Sequence, residues 1–134
     1  MRIVLAPGCF DLFHDGHWSL LNSAKKLGDW LVVAVNDDNS VSALKGDERP
    51  YEPLRERLRN VSRHPAVNAV IPFAGDQLAL VDAIRPHVLV KGSDYREHQV
   101  IGFDLMRKYG GRVCIIERLP ESSTTLQAQK LYGK

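Results

Sequence analysis

Cysteine is scarce in this chain of 134 residues: Cys9 and Cys114 are the only two, each in or beside an apolar run. A pair so placed reads as core filling rather than a bridge, which argues against a disulfide-stapled scaffold and fits a reducing compartment. No apolar run approaches the roughly eighteen residues that a membrane span needs, and no charged segment followed by an apolar stretch opens the chain. The expectation is a cytoplasmic protein that does not engage a membrane. An excess of charge is missing too, since 18 lysines and arginines stand against 16 acids for a net +2. They are interleaved, so there is no basic stripe of the kind nucleic-acid binding requires, and positive potential must be local. His64, His87 and His98 lack metal-ligand spacing with one another or with the cysteines, and zinc is not implied. Repeats, low-complexity tracts and linkers are absent. What is present is 44% hydrophobic residues, enough for one core, and the expectation is one domain over residues 1–134 that folds without staples.

Strand and helix signals alternate. Short, β-branched apolar runs at Ile3 to Ala6, Trp30 to Val35, Val67 to Phe73, Val88 to Val90 and Val113 to Ile116 are bounded by Gly, Pro, Asn or Asp, as buried parallel strands should be. Between them fall helix-period segments: Trp18 to Leu27 stopped by Gly28, Leu54 to Ser62, Gln77 to Ile84 closed by Pro86, and Gln99 to Tyr109 ended by Gly110 and Gly111. A last helix is expected from Thr125 to Leu131, capped by Ser123 or Thr124. The fold class is therefore α/β, a doubly wound, Rossmann-like, five-stranded parallel sheet. Its ligands should bind beyond the carboxyl ends of the strands where the strand order reverses.

The polar motifs obey that geometry. Gly8-Cys9-Phe10-Asp11-Leu12-Phe13-His14-Asp15-Gly16-His17 follows the first strand and opens a helix. At such a helix start, unpaired N–H groups and the dipole favour anions. Gly16 has no side chain to block a phosphate, and His14 and His17 offer N–H donors that can follow charge building on phosphoryl oxygens. The plainer reading is a turn with a capping Asp15 and two ordinary histidines; the strand before and the helix after favour the phosphate site. Lys45 and Arg49 lie in a polar loop able to close over a ligand. Asp11 and Asp38 follow the first two strands and are placed to flank Mg²⁺ or to orient an acceptor hydroxyl, although helix capping explains either one alone.

The segment GCFDLFHDGH resembles the HxGH signature of the cytidylyltransferase-like nucleotidylyltransferases. Lys45-Gly46-Asp47-Glu48-Arg49-Pro50, Val90-Lys91-Gly92-Ser93-Asp94-Tyr95 and Ser123-Thr124-Thr125 occur in the order seen in the sugar-phosphate members. The likeness runs from about Ile3 to Leu126 and is strongest to the heptose 1-phosphate adenylyltransferase domain, with glycerol 3-phosphate cytidylyltransferase behind it. It implies an enzyme that moves a nucleoside monophosphate from ATP or CTP to a phosphorylated sugar or polyol, releasing pyrophosphate, with Mg²⁺ as cofactor and a homodimer as the common assembly. His14, His17, Lys45 and Arg49 would be catalytic. Gly8, Cys9, Phe10, Gly16, Lys91, Gly92, Asp94, Ser123, Thr124 and Thr125 would meet the nucleotide. Asp11, Asp38 and Arg57 would meet the acceptor, Asp11 doubling as a metal ligand.

Pro65 and Asn68 replace acidic residues usual before the third strand of the heptose pattern, and Glu121-Ser122 stands where a small turn residue is usual. These departures leave the acceptor open to another small phosphate or phosphonate. The alternative activity is a cytidylyltransferase acting on glycerol 3-phosphate or such a compound. A non-catalytic nucleotide-binding module is the alternative of another class; both retained imidazoles argue against it.

Overall fold

The computed structural model describes residues 1–117. The helix expected over 125–131 and the segment Ser123, Thr124 and Thr125 lie outside the described residues. Among the described residues five strands, β1 (Ile3–Gly8), β2 (Trp30–Asn36), β3 (Ala69–Phe73), β4 (Val88–Gly92) and β5 (Arg112–Ile116), form one sheet in the order β3-β2-β1-β4-β5. Every pairing is parallel. The order reverses between β1 and β4, which places the reversal point at the carboxyl ends of those two strands.

Alternation along the strands divides the core into two layers. Val4 and Ala6 of β1, Leu31, Val33 and Val35 of β2, and Val88 and Val90 of β4 face one side, where α1 (Asp15–Lys25) and α3 (Leu54–Ser62) bring Leu21, Ala24 and Val61. Leu5, Val32, Ala34 and Leu89 face the other, against Val81 of α4 (Gln77–Ile84) and Met106 of α5 (Phe103–Tyr109). A strand covered on both faces has no polar side to show, which is why these runs read as continuous apolar stretches. Both cysteines remain free thiols. Among the described residues no helix is long and apolar enough to cross a membrane.

Three local features depart from the expected boundaries. The helix expected from Gln99 begins at Phe103, because extended Val100 ends a 3₁₀ turn over Glu97–Gln99 and Gly102, left-handed at φ 103°, starts a new element. The first helix begins at Asp15, three residues before the apolar pattern starts. A short helix over Asp38–Lys45, α2, occupies what reads as loop; Asp37 caps it by accepting from the Ser40 amide at 2.8 Å. Its Asn and Ser residues are weak helix formers, and only Ser40 and Val41 are buried, so neither propensity nor periodicity marks it.

Candidate active site

The turn after β1 opens α1 with an unusual cap. Its N-cap is His14 rather than Asp15: extended at φ −137°, His14 accepts the Gly16 amide on Nδ1 at 3.0 Å. Three residues on, His17 returns the contact, its Nδ1 accepting the His14 amide at 3.2 Å. The two imidazoles thus fill both places of a capping box. Backbone N–H groups only donate, so each Nδ1 presents its lone pair and each neutral ring carries its proton on Nε2. The rings stack with centroids 3.9 Å apart, and Phe13 backs His17 at 5.4 Å. Helix capping therefore engages Nδ1 of each ring, and a phosphate contact would use a different atom, Nε2.

Gly8 is needed for close approach, because a Cβ there would come within 2.9 Å of the Phe10 ring. Beyond it opens a cleft of about 440 Å³ at the carboxyl ends of β1, β2 and β4. One wall is the β1–α1 turn with Gly8, Cys9, Phe10, Asp11, His14, Gly16 and His17. Opposite stand Lys91, Gly92, Asp94 and Tyr95 after β4, and Leu44, Lys45 and Arg49 close the third side. With Asn36 at the end of β2, four segments far apart in sequence thus meet at the reversal point of the sheet. A larger groove of about 730 Å³ lies between α4 and α5, but it brings together none of the residues singled out from the sequence.

Cations enter the cleft in three different states. Lys45, the last residue of α2, is exposed and makes no ion pair among the described residues. Arg49 is engaged: its Nε donates to Asp11 at 2.9 Å and its guanidinium lies 4.3 Å over the Tyr51 ring. Lys91 reaches over the Tyr95 ring, Nζ to centroid 5.3 Å. Burial pushes its ammonium below the ordinary lysine range, and neighbouring Cys9 opposes that shift.

Arg57 and Asp38, expected at the acceptor, are not on the cleft wall. Arg57 is wholly buried. It donates from Nε to the Glu52 carbonyl at 2.9 Å, from Nη1 to the carbonyls of Cys9 and Asn36 at 2.9 and 2.7 Å, and from Nη2 to Asp38 at 2.6 Å. The guanidinium ties the ends of β1 and β2 together from beneath the site. Its spacing to Leu54 and Val61 on the inward stripe of α3 is the signal that marks it as an inner residue.

Asp11 does not fit the expectation of a metal ligand. Its side chain is 1% exposed, and its two oxygens already accept from Arg49 Nε, from the Tyr51 amide at 2.7 Å and from the Glu52 amide at 3.0 Å. Among the described residues no group of three or more His, Cys, Asp or Glu side chains could hold a metal ion. Sequence reasoning passes over Glu52, Asn36 and Tyr95. Asn36 ends β2 and joins Ser40 Oγ at 3.1 Å; nothing in its sequence neighbourhood distinguishes it from an ordinary strand end.

A family model described as Cytidylyltransferase-like matches residues 5–130. The chain is 44% identical to the bifunctional protein HldE of Magnetococcus marinus and 45% identical to that of Pseudomonas syringae, over 99% of this chain in both cases. It spans only 28% of the length of each. Among solved structures, the lipopolysaccharide core biosynthesis protein from Thermoplasma volcanium superposes with a TM-score of 0.70 at 30% identity, covering 91% of this chain and 99% of that one. Pantoate-beta-alanine ligase from Francisella tularensis, at 14% identity and a TM-score of 0.62 over 99% of this chain and 70% of its own, shares the fold.

Proposed function

The chain belongs to the cytidylyltransferase-like family, and from that membership we propose that it transfers a nucleoside monophosphate from ATP to a sugar 1-phosphate of the heptose type, releasing pyrophosphate. The observation that carries this reading is the pair of stacked imidazoles that line one cleft with Lys45 and Lys91 at the sheet's reversal point. A phosphate oxygen of the acceptor attacks the α-phosphorus of the triphosphate in line; the new P–O bond forms as the bond to the bridging oxygen breaks, and pyrophosphate departs. No protein nucleophile is needed. The chain's work is to position the reactants and stabilise charge, with His14 and His17 donating to phosphoryl oxygens and Lys45 and Lys91 balancing the triphosphate. Donors fixed by a helix cap need no reorganisation when the charge develops.

Magnesium lacks a carboxylate cradle among the described residues and is proposed to arrive on the triphosphate's own oxygens. Ser123, Thr124 and Thr125 stay in the proposal as a second anion site for the β- and γ-phosphates. The choice of ATP and a heptose-type acceptor is supported by the segments KGDERP and VKGSDY and by the likeness to the HldE proteins. A soluble cytoplasmic homodimer with no nucleic-acid partner completes the reading. Pyrophosphate release measured with ATP and CTP in turn, against heptose, hexose and glycerol phosphates and a phosphonate, tests it. Release is expected with ATP and a heptose 1-phosphate. Release only with CTP and glycerol 3-phosphate would shift the assignment, and ATP binding without release from any pair would refute catalysis.

A further inference from the structure

Asp11 stands between two residues in the left-handed region, Phe10 at φ 51° and Leu12 at φ 52°. Non-glycine side chains disfavour that conformation, and it persists only where its surroundings over-determine it. Those surroundings are four hydrogen bonds exchanged between residues 11–12 and 49–52. Asp11 accepts Arg49 Nε, the Tyr51 amide and the Glu52 amide; in return Glu52 Oε1 accepts the Leu12 amide at 2.9 Å. Glu52 is held in turn from α3, its Oε2 meeting Asn60 Nδ2 at 3.4 Å and its carbonyl taking Arg57 Nε.

We propose that Asp11 and Glu52 are a reciprocal pair of positioning residues: they lock the strained turn before His14 to the segment that carries Arg49, and they touch neither acceptor nor metal. A sealed carboxylate aimed at two amides and a guanidinium has three of its about four lone-pair sites committed, and such charge-assisted bonds are the strong ones. The Leu12 amide lies two residues before the His14 cap, so the clasp fixes where the capping box starts. Through it the imidazole wall and the Arg49 wall of the cleft hold a set separation. The effect on turnover rests on the nucleotidyl-transfer reading; the clasp itself does not.

The test uses the full chain with Glu52→Gln, Glu52→Ala and Asp11→Asn, assayed for pyrophosphate release from ATP and a heptose 1-phosphate across magnesium concentrations. Trypsin cleavage after Lys45 is timed in parallel, with circular dichroism as the folding control. Glu52→Gln keeps an oxygen for the Leu12 amide and should stay within about threefold of the parent in kcat. Glu52→Ala and Asp11→Asn should lose about tenfold or more in kcat, as misplacement does, with half-activating magnesium unmoved. Both should be cut several times faster than the parent. Glu52→Ala with the parent's turnover and cleavage rate would overturn the proposal. So would Asp11→Asn that shifts the magnesium requirement, or the acceptor KM alone, without faster cleavage. Should Asp11→Asn fail to fold, the Glu52 pair decides. Should the parent release no pyrophosphate from any triphosphate, the functional reading fails and cleavage decides the clasp: faster in Glu52→Ala upholds it, equal overturns it.

Discussion

Replacing His17 separates the capping contact that its ring makes from the donor role proposed for it. His17→Ala removes the acceptor for the His14 amide and the stacking partner 3.9 Å from His14. Half a capping box is worth about 1 kcal/mol and the ring contacts about as much again. Together they predict a loss of about 2 kcal/mol, which in a chain of 134 residues lowers Tm by about 7 °C. Loss of the Nε2–H donor is a separate effect on the transition state. At about 3 kcal/mol it predicts a fall of about 150-fold in turnover.

His17→Gln tells the two apart, because glutamine is a natural third residue of a capping box and its amide oxygen can take the His14 amide. Tm should recover by about half, while turnover stays depressed by about 100-fold, since the Nε2 donor position is not refilled. Thermal unfolding and single-turnover pyrophosphate release on the same preparations give both numbers. If His17→Gln restored turnover to within about threefold along with Tm, the ring would matter only as a cap and the catalytic assignment would be wrong.

Arg57→Met should cost about 3 kcal/mol of stability by urea unfolding, because the carbonyls of Cys9, Asn36 and Glu52 lose their donors inside the protein. Arg57→Lys should recover less than half, since one ammonium cannot span these partners; unchanged stability with a raised acceptor KM would instead mark Arg57 as a substrate contact. His64 is sealed, accepts the Ala66 amide on Nδ1 at 3.1 Å and meets the Trp18 carbonyl through Nε2, and burial lowers its pKa from 6.5. Unfolding takes up a proton as pH falls below 6.5, so the stabilisation present above that value should fade toward the lower folded pKa, and His64→Asn should flatten the unfolding profile there. Lys91 is pushed down from 10.5 by burial, so ATP affinity should weaken as pH rises through that lowered value, and Lys91→Arg should hold its affinity to higher pH. An affinity flat over the alkaline range in the parent would remove Lys91 from the nucleotide's contacts.

What the sequence discloses about this molecule follows what one periodicity or one short motif can carry. α3 and α4 fall on the residues that apolar spacing marks, and the five strands appear where β-branched runs predict, because a strand covered on both faces admits little else. The meeting of the β1, β2 and β4 ends follows from alternation alone, since βαβ connections leave few orders for the strands. Hidden from sequence are the features that depend on a side chain's partner. Asp11 reads as a ligand because a carboxylate after a strand usually faces outward; that it turns inward is decided by amides forty residues away, at Tyr51 and Glu52. Arg57 reads as an acceptor contact because its charge hides its place on the inward stripe of α3. The His14–His17 box is missed for a related reason: capping signals are learned from Ser, Thr, Asp and Glu, while an imidazole lone pair meets the same geometric requirement. Each of these residues offers one face to the fold and, at His14 and His17, a second to the cleft. Sequence patterns report the type of a side chain but not which of its atoms the backbone has already claimed.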